Sequence, residues 1–183
     1  DDYKWQKDNN ILITEKYRAH GLHKILYQCP HCMSEGTTTS NGISLTCNGC
    51  GKTWEMTELG ELKALQGETE FSHIPDWYKW QRENVRKELL NGTYKYSDKV
   101  QAYGFPNVTK YFNLGEATVT HDLENGFVMT GNYNGQDYRI QKPASSLYSL
   151  HIEYEFGHLK GIDCFELPTK NDSIYCIPTN EYM

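Results

Sequence analysis

The chain contains 183 residues, carries a formal net charge of −6 and is 38% hydrophobic. This length suits one domain of ordinary size or two small ones, and the hydrophobic content excludes wholesale disorder. The charge is spread along the chain: residues 1–22 and 23–56 each sum to zero, residues 57–92 to −2 and residues 93–183 to −4. No region is basic, as a nucleic-acid binder usually is, and no apolar run approaches the ~20 residues that span a bilayer.

Residues 1–22 are predicted to be an N-terminal linker. The chain opens DDYKWQKD, without a methionine and without a signal peptide, so we expect it to be part of a longer protein. The stretch ILITEKYRAH fits either a short helix or an edge strand.

Four of the six cysteines lie as two pairs within residues 27–54, YQCPHCMSEGTTTSNGISLTCNGCGKTW. The stretches KILYQ (24–28), ISLT (43–46) and KTWEM (52–56) flank these pairs and predict a three-stranded antiparallel ribbon within residues 23–66. Gly51 directly follows the second pair, where a turn needs a residue that tolerates positive φ. Gly60 in TELGEL predicts a tight turn.

The spacing of these cysteines predicts a metal site. Cys29 and Cys32 form the first C-x-x-C pair, and 14 residues separate it from Cys47 and Cys50. Two such pairs can hold one zinc ion in a tetrahedron of thiolates, which leaves no open position and is therefore structural. A segment of about 35 residues cannot bury enough surface to fold alone. Zinc binding to such peptides is on the order of 10–16 kcal/mol and would supply the missing free energy.

Other uses of the cysteines are less consistent with the sequence. A redox pair lacks the βαβ context of such motifs, and the spacing is unlike a secreted disulfide framework, so we expect a reducing, cytoplasmic environment. His31, in CPHC, could coordinate in place of a cysteine, although four cysteines suffice. Cys164 and Cys176 lie far away in apolar β-like runs.

Many zinc ribbons contact nucleic acid, and that alternative depends on charge. Between Leu22 and Thr57 the chain has only Lys24 and Lys52, against Glu35 and Glu55. Two lysines cannot neutralise several phosphates, so nucleic acid is a disfavoured partner.

The segment FSHIPDWYKWQRENVRKELLNG, residues 71–92, predicts a linking helix over 75–90. Pro75 suits its first turn, and Gly92 suits a left-handed residue at its end. Aromatic residues beside Lys and Arg can mark a helix that lies on a membrane. We favour the alternative, in which Trp77, Tyr78, Val85 and Leu89 pack between the ribbon and the following β region.

Residues 93–183 predict an antiparallel β domain. Turn signals separate about seven short strands, and Asn134-Gly135 is a strong two-residue hairpin signal. The strands are expected around Tyr94 and Tyr96 and in 115–122, 127–133, 136–141, 146–156, 161–167 and 173–178. This pattern is typical of a sandwich or a small barrel.

No catalytic motif is visible. The chain has seven histidines, and none falls in a pattern such as H-E-x-x-H or G-x-S-x-G. A P-loop and a dinucleotide fingerprint are also missing from the sequence. Scattered surface and core histidines explain these residues better than a catalytic triad does.

The run YQCPHC…LTCNGCGKTWEMTELGELKALQGETEFSHIPDWYKWQRENVRKEL resembles the C-terminal extension of bacterial proteins in the 1-acyl-sn-glycerol-3-phosphate acyltransferase family. The resemblance covers roughly residues 20–183 and is most specific in the cysteine pairs and the helix. It implies that a membrane-associated acyltransferase domain precedes a zinc ribbon, the helix and a β-rich tail in the parent protein.

The family transfers a fatty acyl group to lysophosphatidate and uses a histidine and an aspartate separated by four residues. In this chain only His158 and Asp163 have that spacing, in HLKGID. This segment lies between two predicted strands, without the helix and phosphate-binding context of such a site. We therefore treat the pair as chance and predict no catalytic residue.

The expected fold is mainly β with one helix: a four-cysteine zinc ribbon, a linking helix and an antiparallel β barrel or sandwich. The strand count suits a pleckstrin-homology-like or GRAM-like barrel, whose closing helix would lie beyond Met183. The expected function is a non-catalytic accessory region of a phospholipid acyltransferase. Its partners would be the acyltransferase domain of the parent chain or another protein, with weak membrane contact at the inner face of the membrane.

Two other functions stay open at this point. A nucleic-acid-binding zinc-ribbon protein would show a basic face. A stand-alone enzyme with an unrecognised site in the β domain would show a polar pocket with coupled titratable groups.

Overall fold

The computed structural model describes residues 2–106, 109–146, 149–158, 162–170 and 172–179. The chain divides into two compact units: the first runs to Lys87, and the second begins at Glu88. Within the described ranges, no helix combines the length and the apolar character needed to cross a membrane.

The first unit holds a four-stranded antiparallel sheet, where the sequence predicts three strands. The strands follow chain order, β1 (Thr38–Asn41), β2 (Ser44–Cys47), β3 (Thr53–Met56) and β4 (Leu62–Ala64). Three helices accompany them: α1 (Asp2–Asp8), α2 (Leu22–Ile25) and α3 (Ile74–Leu90). The predicted turn at Gly60 is confirmed, with φ 78°.

The predicted strand at residues 24–28 is wrong. This segment begins inside α2, and only Gln28 forms an isolated bridge, to Glu35. Distant side chains satisfy its backbone instead of a neighbouring strand. The Gln81 amide accepts from the Gln28 N–H at 3.0 Å and donates to the Ile25 carbonyl at 2.9 Å. The Trp77 indole donates to the Gln28 carbonyl at 2.9 Å.

The predicted helix at 75–90 is confirmed as α3, and Gly92 follows it with φ 68°. The helix packs on the ribbon through Trp77, whose ring lies edge-on to that of Trp54 with centroids 4.9 Å apart. Gln81 is 1% exposed, since its amide bridges the backbone beneath it. Tyr78, expected to be packed, is instead 45% exposed.

The N-terminal segment packs onto the sheet of the first unit. The Tyr3 hydroxyl donates to Glu61, the Ile13 N–H donates to the carbonyl of Glu58, and Ala19 is fully buried. After α1 the stretch ILITEKYRAH forms coil and turns, and it is neither the helix nor the edge strand that its pattern allows.

The second unit holds a seven-stranded antiparallel sheet, as the strand count predicts. Its order is β8-β7-β6-β5-β11-β10-β9. The strands are β5 (Tyr96–Gly104), β6 (Phe112–Asp122), β7 (Gly126–Tyr133), β8 (Gln136–Lys142), β9 (His151–Glu153), β10 (Cys164–Pro168) and β11 (Ser173–Pro178). The Asn134-Gly135 hairpin turn is confirmed, with φ 52° and 81°. The strand predicted over 146–156 shortens to β9 in the described residues.

This sheet is strongly curled. Met129 on β7 and Cys176 on β11 lie three strands apart, which would separate them by about 14 Å in a flat sheet. Their sulfur atoms are 3.8 Å apart. Phe127 on β7 and Phe165 on β10 have ring centroids 6.3 Å apart, so the inner face closes around its own core. In the described ranges β8 and β9 remain the two edges, and the sheet does not form a closed barrel.

A glycine makes room for an aromatic side chain on this sheet. Gly131 on β7 pairs with Tyr138 on β8, and a Cβ built on Gly131 would lie 2.5 Å from the Tyr138 hydroxyl oxygen. That hydroxyl is buried and has no hydrogen-bond partner among the described residues. Tyr138 therefore lies across the glycine, where any larger residue would displace it.

We expect Gly131→Ala to lower the free energy of unfolding by about 1–3 kcal/mol, because the added methyl group overpacks the ring of Tyr138. Tyr138→Phe should be neutral or stabilising, since it removes a buried hydroxyl without a partner. Urea titration followed by circular dichroism measures both changes. Thr130→Ala, at the exposed neighbouring position on β7, is the matched control. An unchanged stability in Gly131→Ala would contradict this packing.

Candidate metal centre

The four predicted ligand cysteines come together at one point. The sulfur atoms of Cys29, Cys32, Cys47 and Cys50 all lie within 4.8 Å of one another. The Cys29–Cys50 distance is 3.9 Å and the Cys32–Cys47 distance is 3.7 Å. Four sulfurs at the ~2.3 Å bond length of a zinc thiolate stand about 3.8 Å apart in a tetrahedron. The donor set and its geometry therefore fit a tetrahedral metal ion such as zinc.

The two cysteine pairs sit on equivalent backbone turns. In the first, the Cys29 N–H donates to the Ser34 carbonyl and the Met33 N–H donates to the Cys29 carbonyl. In the second, the Cys47 N–H donates to the Lys52 carbonyl and the Gly51 N–H donates to the Cys47 carbonyl. Each turn needs positive φ at the residue after its second cysteine.

Gly51 meets this requirement, as predicted, with φ 77°. In the first turn the equivalent residue is Met33, with φ 64°. A non-glycine residue in this region is uncommon and costs conformational energy. The strain at Met33 must be offset by the bonds that close its turn.

Two hydroxyl groups support the sulfurs, and the sequence pattern did not single them out. The Ser34 hydroxyl lies 3.0 Å from the Cys32 sulfur and 3.6 Å from that of Cys47. The Thr37 hydroxyl lies 3.3 Å from the Cys47 sulfur and 2.7 Å from Ser34. Hydrogen bonds of this kind orient metal ligands and disperse thiolate charge. The only sequence signal for them is a hydroxyl-rich stretch directly after the first pair.

These contacts separate the pKa values of the thiols. Burial raises the pKa of Cys47, but the hydroxyls of Thr37 and Ser34 outweigh it and bring the pKa to about 6. Ser34 also lowers the pKa of Cys32, whereas burial raises the pKa of Cys29 and of Cys50. Four adjacent thiols cannot all ionise without a cation, because like charges repel. A divalent metal removes that obstacle.

A nearly buried ion pair lies beside the second cysteine pair. Lys52 is 8% exposed, and its ammonium contacts the Glu70 carboxylate at 2.5 Å and the Glu68 carbonyl at 2.8 Å. The Trp54 indole donates to the other Glu70 oxygen at 3.2 Å. Burial raises the pKa of Glu70, but Lys52 and Trp54 hold it below its usual value. The Lys52 ammonium is thus neutralised by Glu70 inside the unit and does not contribute to a basic face.

A cleft of about 460 Å³ opens next to this ion pair and gives solvent access to Cys50. Its lining residues are His31, Cys50, Gly51, Lys52, Gln66, Gly67, Glu68 and Glu70. His31, the alternative ligand, directs its Nδ1 at Glu70, 3.4 Å away. Among the described residues, the group of side chains that could hold a metal ion consists of the four cysteines and does not include His31.

Cys164 and Cys176 take no part in the cluster. Both are buried free thiols of the second unit, and burial raises the pKa of each to about 12. The Cys176 thiol packs against the sulfur of Met129. They belong to the core packing of that unit.

The histidines whose contacts are described have individual structural neighbours. His23 contacts the Ser40 hydroxyl at 2.7 Å, and His73 contacts Asp76 at 3.5 Å. His121 contacts the Tyr94 hydroxyl and stacks on Phe127. The HLKGID pair cannot be placed in the same way, because the side chain of His158 and residues 159–161 are outside the described residues. Asp163 accepts a hydrogen bond from the Glu155 N–H.

A second cleft, of about 490 Å³, lies on the β7–β8 hairpin. It is lined by Thr130, Gly131, Asp137, Tyr138 and Arg139. Asp137 accepts a bond from Asn132, and Arg139 donates to Gln141. Within the described residues, Asp137 and Arg139 are thus both occupied by short-range partners.

Comparison of the chain with known protein families, with curated proteins and with solved structures gave no match.

We expect purified protein to contain about one equivalent of zinc, because four thiolates form a closed tetrahedral site. Cys47→Ser should lose the metal and unfold the first unit, since Cys47 is fully buried beside Trp54 and Trp77. Elemental analysis and tryptophan fluorescence measure the two effects. Acid should release the metal, because protons compete for the thiolates.

Cys176→Ser is the matched control, being another buried cysteine outside the cluster. It should keep its metal. Alkylation adds a second readout: the four ligands should be protected in the loaded protein, with the exposed Cys32 and Cys50 reacting first after chelation. Stoichiometric metal in a protein whose four cysteines all remain alkylatable would refute this assignment.

Proposed function

We propose that the chain is a non-catalytic accessory region of a bacterial phospholipid acyltransferase, with one structural zinc ion in the four-cysteine site. The non-catalytic role of the ribbon is inferred from its donor set of four thiolates. Four thiolates fill a tetrahedron, so the ion has no position at which to activate water or polarise a substrate. Its role is to hold the ribbon, which then acts as a scaffold.

The acyltransferase parent is proposed from the resemblance in the cysteine pairs and the HIPDWYKWQR helix. Buried contacts between this helix and the segment before the first cysteine pair explain why an accessory module would contain both. Trp77 and Gln81 from this helix satisfy the backbone directly before Cys29. The helix and the ribbon therefore form one folding unit, which would lie next to the parent's catalytic domain.

The β unit is proposed as the interaction module, with a pleckstrin-homology-like or GRAM-like fold. Seven strands in a strongly curled antiparallel sheet support that assignment. Such a sheet offers loops and edges for contact with protein or lipid. Membrane contact, where it occurs, would be weak, and the parent would carry the chain to the inner face of the cytoplasmic membrane.

The reading frame that encodes this chain tests the parent directly. An upstream domain with a histidine and an aspartate separated by four residues would support an acyltransferase. An upstream domain of another class would contradict the proposal.

The isolated 183-residue chain should not transfer acyl groups to lysophosphatidate, because it lacks the catalytic domain that the proposal places upstream. The assay is product formation from an acyl donor and lysophosphatidate, with wild type and His158→Ala compared. Turnover that disappears in His158→Ala would show that HLKGID is a catalytic motif after all. Such a result would overturn the accessory assignment.

Binding of the β unit to anionic membranes should be weak at every lipid composition. Residues 93–183 have seven basic and eleven acidic side chains. Anionic lipid attracts a basic segment by ~1 kcal/mol per Lys or Arg at the surface. The net negative charge of residues 93–183 should instead repel anionic lipid. Lys99, one of the few cations, is paired with Glu116.

Co-sedimentation with vesicles of rising phosphatidylserine content, at low and near-physiological salt, measures this binding. The available basic residues for a local patch are Lys95, Lys99, Lys110, Arg139 and Lys142. Strong, salt-sensitive binding that is lost when these residues are neutralised would favour a headgroup-binding domain. It would contradict a mainly protein-binding role.

A further inference from the structure

The two edges of the seven-stranded sheet differ in chemistry. The β8 edge carries Asp137, Arg139 and Lys142 among polar residues. Charged side chains of this kind protect an edge strand from pairing with another chain. At the other edge, β9 and its flanks expose large apolar side chains: Leu150, Ile152 at 38% exposure and Tyr154 at 74%. Among the described residues, this edge is protected only by its short length and by Glu153, and it combines them with exposed apolar side chains.

The sequence around β9 is complementary to itself when two copies run antiparallel. In SLHIEYE, residues 149–155, Ile152 is the central residue. Suppose that Ile152 faces Ile152 of a second copy. His151 of each copy then faces Glu153 of the other, and Leu150 of each copy faces Tyr154 of the other. Such a contact places apolar residues opposite apolar ones and a base opposite an acid. Self-complementarity is the property that a twofold interface requires.

The acidic side chains near β9 favour a partner that brings a basic group, and a second copy of the chain would do so. Glu153 lies opposite Cys164, and Glu166 lies opposite His151, in the β9–β10 pair. Burial and the field of these carboxylates raise the pKa of Tyr175 to about 12, and burial and Glu153 raise the pKa of Tyr111. An imidazole from a second copy would bring a basic group to Glu153.

We propose that β9 is a homodimer contact, in which two copies join their sheets edge to edge about a twofold axis at Ile152. The occupant of this edge is thus a second copy of the chain. The backbone groups of β9 that face outward pair with those of its counterpart, as in strand addition between other proteins. This contact lies in the second unit and does not depend on the metal or on the acyltransferase parent.

The geometry of the strand limits the strength of the contact. The strand itself spans only His151–Glu153, and the chain bends at Tyr154 and at Glu155, which has φ 53°. One short strand from each copy forms a small interface, of the kind below 1,200 Å² that is typical of weak or transient complexes. We therefore expect a dissociation constant in roughly the 10–100 micromolar range rather than an obligate dimer.

Sedimentation velocity of the zinc-loaded 183-residue chain, over roughly 1–300 micromolar, tests the association. Wild type should shift from monomer to dimer across this range. Ile152→Lys should raise the dissociation constant at least tenfold, because it places two like charges on the axis. Glu153→Lys should also weaken it at least tenfold by facing His151 with a cation. Arg139→Glu, on the β8 edge, should leave it unchanged.

Cysteine cross-linking tests the register, and it does not depend on how well the lysine variants fold. Ile152→Cys should form an intermolecular disulfide under mild oxidation, because facing residues of an antiparallel pair lie within disulfide reach. Tyr154→Cys is the matched control on the same edge. In the proposed register the two cysteines of this variant lie about four residues apart along the strands, or about 13 Å at a rise of about 3.3 Å per residue. This distance is too long for a disulfide.

A concentration-dependent dimer, with Ile152→Cys cross-linking at least tenfold faster than Tyr154→Cys, supports the proposal. Wild type serves as the background for the native cysteines. A monomer at every concentration would overturn it. Equal cross-linking rates for the two variants would do the same, because they would exclude the proposed register.

Discussion

The convergence of four sulfur atoms is the constraint on which the first unit depends. Cys29 and Cys47 are fully buried and belong to the same hydrophobic cluster as Trp54 and Trp77. Cys32 and Cys50 are exposed on the other side. The site therefore ties the surface turns to the core of a unit whose strands have only three or four residues each. Strands this short are not stable by themselves in water.

Helix α3 supplies core packing and backbone hydrogen-bond partners to the ribbon. Trp77 fills the core against Trp54, and Gln81 and Trp77 bond the backbone that precedes Cys29. Since buried peptide groups without partners are costly, these side chains allow the chain to enter the first cysteine turn without a neighbouring strand. The four-cysteine cluster and the contacts of α3 thus stabilise opposite ends of the same segment.

The second unit is stabilised differently. Its core arises from alternating apolar residues on a single sheet that curls until β7 meets β10 and β11. Among the described residues, the candidate metal site lies in the first unit alone, so loss of a metal ion bound there should affect the two units unequally.

The sequence by itself determined the four candidate metal ligands and the main elements, because each has a local signature. The C-x-x-C spacing identifies Cys29, Cys32, Cys47 and Cys50, helical periodicity identifies α3, and Asn134-Gly135 identifies a hairpin whose turn needs positive φ. Gly51 follows from the same reasoning. These features depend on residues close together in the chain, so their pattern is visible without a structure.

Only the tertiary structure decided the rest. Residues 24–28 alternate like a strand, yet side chains from α3, about 50 residues away, bond their backbone and leave no need for a partner strand. The hydroxyls of Ser34 and Thr37 reach the sulfurs through the fold of the first turn and of the segment that leads into β1. The curl of the large sheet and the exposure of Ile152 on its edge depend on how distant strands meet. Contacts between distant residues carry no local signature, because they arise only when the chain has packed.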